Sequence, residues 1–127
     1  MIRVLVAESD PSRTASICEI LLSDDRVDSV TSVGDGAAAI AGADSSDVVV
    51  IDLAIKGLGC FGAIGRIHRL ANPPRVVAVD PVGDDWKDLA ARGEGADEVL
   101  VWPRDTAVLV DAVTGSARCS RSKGRQS

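Results

Sequence analysis

Three carboxylates stand at the ends of apolar runs: Glu8 after "IRVLVA", Asp52 closing "VVVID", and Asp80 closing "RVVAVD". Asp10 follows Glu8 by two residues. An acid delivered by an apolar run is costly unless it is paired, solvated or bound to a metal. A carboxylate held at such a tip can act as a nucleophile and accept a phosphoryl group. That transfer needs charge compensation, normally a Mg²⁺ held by further carboxylates and a cation on the phosphoryl oxygens. Glu8 and Asp10 are placed to hold such an ion, with Asp52 beside them and Asp80 as a further carboxylate within the same crevice.

The elements that position these acids alternate in type. "VVVID" has no polar alternation, which reads as a strand buried on both faces in the middle of a parallel sheet. Strands are predicted at 2–7, 27–33, 47–52, 75–80 and 97–102. Helices are predicted after each: one opened by Asp10 and Pro11 with Ile17, Ile20 and Leu21 inward, an Ala-rich one over 34–43, and one carrying Ile64, Ile67 and Leu70 that Asn72-Pro73-Pro74 stops. A fourth spans 84–93 with Trp86, Leu89 and Ala90 inward, and a fifth spans 105–113. Five such units imply a doubly wound α/β sheet of order 2-1-3-4-5, with its site outside the C-terminal strand ends, where Glu8, Asp52, Asp80 and Trp102 fall. Residues 1–114 form the predicted domain; 115–127 read as a disordered basic tail or linker.

The chain has 127 residues, 46% of them hydrophobic, which suits one domain with a real core. Phe61, Trp86 and Trp102 are its only aromatic residues, which argues against a base-stacking surface. All 19 acids precede Gly115, while Arg118, Arg121, Lys123 and Arg125 follow it. An acidic body disfavours direct nucleic-acid binding and suits a divalent cation or a basic partner. Cys18, Cys60 and Cys119 have no metal-ligand spacing, so reduced thiols are expected. No apolar run has membrane-spanning length, and the N-terminus enters a strand directly, so no membrane association and a cytoplasmic location are expected.

In "VLVAESDPSR", "VVVIDLAIKG", "GAD" at 95–97 and "VWP" at 101–103, the chain resembles the receiver domain of two-component response regulators over about residues 2–114. The resemblance implies a flavodoxin-like fold and a role in phosphorelay signal transduction. It implies no metabolic catalysis, at most self-phosphorylation by transfer of a phosphoryl group to Asp52 from a histidine kinase or phosphotransfer protein. It matches Asp52 with the phosphoacceptor, Glu8 and Ser9 with the acidic pair that binds Mg²⁺, and Ala54 with the residue whose carbonyl meets the metal. Pro103 matches the proline usually preceded by a cis peptide. "DDRVDSVTSVGDG" is similar to the subgroup that carries a C-terminal helix-turn-helix.

Several positions depart from that pattern. Ser9 removes a metal-binding charge, and Trp102 replaces the near-invariant Lys. Asp80 replaces the switch Thr or Ser, Pro81 stiffens the loop beside it, and Lys56 replaces a usual proline. Two readings stay open. In one, Asp80 makes up for Ser9, a divalent ion still binds, Lys56 or Arg104 supplies the cation, and Asp52 is phosphorylated. In the other, the domain is a phosphorylation-independent pseudo-receiver that binds another regulatory protein through its fourth helix, fifth strand and fifth helix. The sequence is compatible with a homodimer.

Plainer roles compete at several positions: Asp10 as a helix cap, Asp80-Pro81 as a turn, Trp102 as an apolar lid, His68 as a solvated helix-end residue. "GLGCFG" at 57–62 matches G-x-G-x-x-G, and as an oxidoreductase-like dinucleotide site it is the remote alternative. Four residues separate it from the strand end, and Asp52 would stand near the pyrophosphate.

Overall fold

Five parallel strands form the sheet: β1 (Ile2–Ala7), β2 (Val27–Val33), β3 (Val48–Asp52), β4 (Arg75–Asp80) and β5 (Glu98–Val101), in the order β2-β1-β3-β4-β5. This is the doubly wound architecture expected of the alternating pattern. The computed structural model describes residues 1–57 and 59–115. The expected tail beyond Gly115, with Cys119, lies outside the described residues.

The helices are α1 (Pro11–Leu22), α2 (Gly36–Ala43), α3 (Cys60–His68), α4 (Asp85–Glu94) and α5 (Leu109–Thr114). Two apolar layers hold them to the sheet. On one face Leu5, Val49, Ile51, Val76 and Ala78 meet Ala39 and Ala43 of α2, Ile64 and Ile67 of α3, and Ala91 of α4. On the other, Val4, Val6, Val48, Val50, Val77 and Val79 meet Ile17 and Leu21 of α1 and Leu109 and Val113 of α5. Full burial of each branched side chain contributes about 1.5–3 kcal/mol, so the uninterrupted apolar strands are what fix the sheet's centre.

Caps set the helix starts. Asp10 accepts the N–H of Arg13 at 3.1 Å, with Pro11 opening α1. Asp35 caps α2 through the Ala38 N–H, and Asp84 caps α4 through those of Trp86 and Lys87. At the far end of α4, Gly95 has φ 124°, and a Cβ there would lie 2.4 Å from Cγ of His68. Only glycine allows α4 and α3 to approach so closely.

Two expectations are corrected. The last helix does not run over 105–113: a 3₁₀ turn, Thr106–Val108, precedes the short α5. The carboxylate that would have capped it, Asp105, turns back to accept the Val101 N–H at 2.8 Å. Nor are Trp86, Leu89 and Ala90 inward. Trp86 is 82% exposed and Leu89 64%, and Ala91 alone is buried on α4.

Candidate functional site

Strand parity decides which acids meet. Ala7 of β1 pairs with Ile51 of β3, so Glu8 comes level with Asp52. Successive side chains alternate between faces. Glu8 follows the parity of Val4 and Val6, and Asp52 that of Val48 and Val50; both therefore belong to the face covered by α1 and α5. Asp80 follows Val76 and Ala78 and belongs to the face covered by α4. The expected convergence of three acids in one crevice does not occur.

Glu8 and Asp52 are 4% and 2% exposed, and one guanidinium joins them. Arg13 Nε donates to Glu8 Oε1 at 3.2 Å, and its Nη2 donates to Asp52 Oδ2 at 3.2 Å. Its Nη1 lies 3.8 Å from Asp10 Oδ2. The remaining carboxylate oxygens take backbone donors: the Asp10 N–H reaches Glu8 Oε2 at 3.1 Å, and the Ala54 N–H reaches Asp52 Oδ1 at 2.9 Å. Burial first, and then the neighbouring Asp52, push the Glu8 carboxyl up to about 7.

Arg13 was not among the residues singled out from sequence. Two signals were available: it lies in the first turn of α1, three residues after the Asp10 cap, and α1 covers the face to which Glu8 and Asp52 point. Of the cations considered instead, neither pairs with Glu8 or Asp52, although Lys56 lines the hollow that Ser9, Asp10, Arg13 and Ala54 also line. Arg104 pairs with Asp105 at 3.0 Å, and Lys56 is exposed. Ser9 is structural here, its Oγ accepting the Lys56 N–H at 3.2 Å.

Asp80 forms a second, separate site. Its two oxygens accept the N–H groups of Val82 at 2.9 Å and Asp84 at 2.7 Å, which closes the turn after β4. Burial raises its pKa, but Asp88 of α4 and the backbone N–H groups outweigh that and leave it below the usual value. Asp88 is pushed up to about 6 by burial and by Asp80. Asp88 Oδ1 is buried without a hydrogen-bond partner.

Trp102 is buried in the α1/α5 layer, as an apolar lid would be, with its N–H on the Asp80 carbonyl at 2.8 Å. The Trp102–Pro103 peptide is cis. Cys60 is buried at the start of α3, which pushes its thiol up and away from reactivity.

The site does not fit a divalent ion as it stands. Among the described residues, no three acid, histidine or cysteine side chains are grouped to hold a metal. Asp10 caps α1, Asp80 faces the other layer, and the gap between Glu8 and Asp52 is spanned by Arg13.

No family model matches the chain. It is 27% identical over 122 residues, 94% of its length, to the nitrate/nitrite response regulator protein NarP of Escherichia coli. It is 30% identical over 104 residues, 80% of its length, to the transcriptional regulatory protein TcrA of Mycobacterium tuberculosis. It spans 56% and 40% of those two proteins, about half the length of the curated relatives it matches. A two-component response regulator of the LuxR family from Aurantimonas superposes with TM-score 0.82 at 20% identity, over 91% of this chain and 84% of that one.

The chain has the receiver fold and is similar in sequence to response regulators.

Other structures share the receiver fold. A Burkholderia pseudomallei protein described as pilus assembly-related is 30% identical, with TM-score 0.76 over 93% of this chain and 90% of its own. The Mn²⁺-bound form of response regulator Rcp1 has TM-score 0.73 at 16% identity, covering 91% of both chains. No helix among the described residues is long and apolar enough to cross a membrane.

Proposed function

We propose that this receiver domain is an atypical one, relaying its signal by protein contact without accepting a phosphoryl group at Asp52. The observation that carries the reading is the commitment of Asp80: both its oxygens hold the turn after β4, so no switch side chain is free to follow a phosphoryl group. Trp102 stands in place of a Lys, and the cation beside Asp52, Arg13, is already shared with Glu8. The proposed unit is residues 1–114, with 115–127 as a linker or tail, working in the cytoplasm. Its partner is another regulatory protein, met through α4, β5 and α5, where Val82, Trp86 and Leu89 are exposed.

The test is incubation with Mg²⁺ and a small-molecule phosphodonor, read by intact mass, beside Asp52→Asn. The expected result is an unchanged mass for both. One added phosphoryl group on the wild type, absent from the variant, overturns the reading.

One observation favours a second reading. The Arg13 side chain is 29% exposed, so it has a route out of the gap between Glu8 and Asp52. Its exit would leave Glu8, Asp52 and the Ala54 carbonyl for Mg²⁺, and Asp52 to take a phosphoryl group from a histidine kinase or phosphotransfer protein. In that reading Asp52→Asn abolishes the signalling output in cells; an unchanged output removes it.

A further inference from the structure

The positions that the family resemblance assigns to a divalent ion are Glu8, Ser9, Asp52 and Ala54. In this chain the side chains of Glu8, Ser9 and Asp52 already have partners, and the centre of the acids' network is a side chain. The Glu8 and Asp52 carboxylates are each only 1% exposed, and the same guanidinium meets both at 3.2 Å. It does so through different atoms, Nε and Nη2, so the planar fork spans two acids on neighbouring strands. Asp10 fixes where that fork starts: its side chain accepts the Arg13 N–H while pairing with Nη1. Ser9 holds the Lys56 N–H instead of facing the acids.

We propose that Arg13 is a built-in cation that takes the place of the divalent ion, so that the Glu8–Asp52 site excludes divalent metals until Arg13 is removed. This rests on the reading that the domain works without phosphorylation, and it names what replaces the metal. A guanidinium is charged at every accessible pH, so its charge cannot be lost by dilution or chelation. It cannot coordinate, because Mg²⁺ requires oxygens at about 2.0–2.1 Å in near-octahedral array, and the nitrogens fill that space instead. Removing Arg13 leaves two buried carboxylates and the Ala54 backbone without a cation. That is a hard-oxygen set suited to Mn²⁺ or Mg²⁺.

Mn²⁺ binding is measured by electron paramagnetic resonance on the full chain at pH 8, with no phosphodonor present. The wild type is expected to leave millimolar Mn²⁺ free. Arg13→Ala is expected to bind it at least about tenfold more tightly. Glu8→Gln in the Arg13→Ala background is expected to abolish that gain. Wild-type binding as tight as that of Arg13→Ala, or no binding by either, overturns the proposal. A second measurement needs no variant. The Arg13 Nε–H resonance of the ¹⁵N-labelled wild type is expected to stay fixed across a Mg²⁺ titration, and a progressive shift or loss overturns the proposal. Neither readout involves phosphoryl transfer, so this inference and the function proposed above fail separately.

Discussion

Two pairs of acids, three of the four buried and Asp88 half-buried, stand at the same end of one sheet, and they are accommodated by different means. Between Glu8 and Asp52, the answer is a cation from α1. At Asp80, beside Asp88, the answer is the backbone N–H groups of the turn that Asp80 closes, with the Asp88 carboxyl pushed up to about 6. The difference follows from which helix covers each face. α1 presents an arginine in its first turn. α4 presents Asp84, Asp85 and Asp88 in its opening residues, so Asp80 takes its partners from the backbone of the turn. Both pairs hold an acid whose pKa is raised, Glu8 to about 7 and Asp88 to about 6, but only the first has a guanidinium between its acids.

Arg13→Ala should have the largest effect. Removing one partner from a buried charge cluster costs about 3–5 kcal/mol, and the partial exposure of Arg13 places the expected loss near the lower end. Urea unfolding in chelator-treated buffer measures it, and Mn²⁺ should restore part of the loss. A loss no greater than that of Asp80→Ala would erase the contrast between the two pairs.

The pH dependence comes next. Glu8 has a raised pKa in the folded state, so its contribution is fully present below about pH 4.5 and is lost as pH rises through about 7. Stability should therefore fall by about 2–3 kcal/mol between those limits. Asp88, raised to about 6, adds to the fall with the same sign. Glu8→Gln should flatten most of this slope and Asp88→Asn the rest; a slope unmoved by Glu8→Gln would show that Glu8 ionises freely.

Asp80→Ala leaves the N–H groups of Val82 and Asp84 without their acceptor and should cost about 2 kcal/mol, lowering Tm by several degrees. Asp80→Asn, which keeps one acceptor oxygen, should cost less, and equal losses would mean that the turn does not depend on these bonds. The smallest stability effect belongs to Trp86→Ala and Leu89→Ala, each within about 0.5 kcal/mol, because both side chains are exposed. The same changes should weaken binding to a regulatory partner, which separates a contact surface from a packed one.

The sheet order, the strands and most helix starts were legible because each rests on a local signal: unbroken Val and Ile runs, or an Asp before Pro11 or Gly36. The site was less so. Glu8 and Asp52 are adjacent because of strand register, and their bridge comes from a residue that looks like any helical arginine. Placing Asp80 with them overlooked parity: Asp80 pairs with Val101, whereas Asp52 pairs with Val79, so the two acids alternate to opposite faces. α4 misled for a related reason. Its apolar residues suggest an inner stripe, but the short side chain of Ala91 alone fills the space left by α3 and β4.

Lys56 ties together more than its exposed side chain suggests. Its N–H bonds Ser9 and its carbonyl accepts the Gly36 N–H at 3.2 Å, so the loops after β1, β2 and β3 are laced into a single hoop. A pull on any one of them is carried to the other two. A partner gripping the start of α2 would thus strain the seat of Arg13 mechanically, at a distance and without entering the acid site.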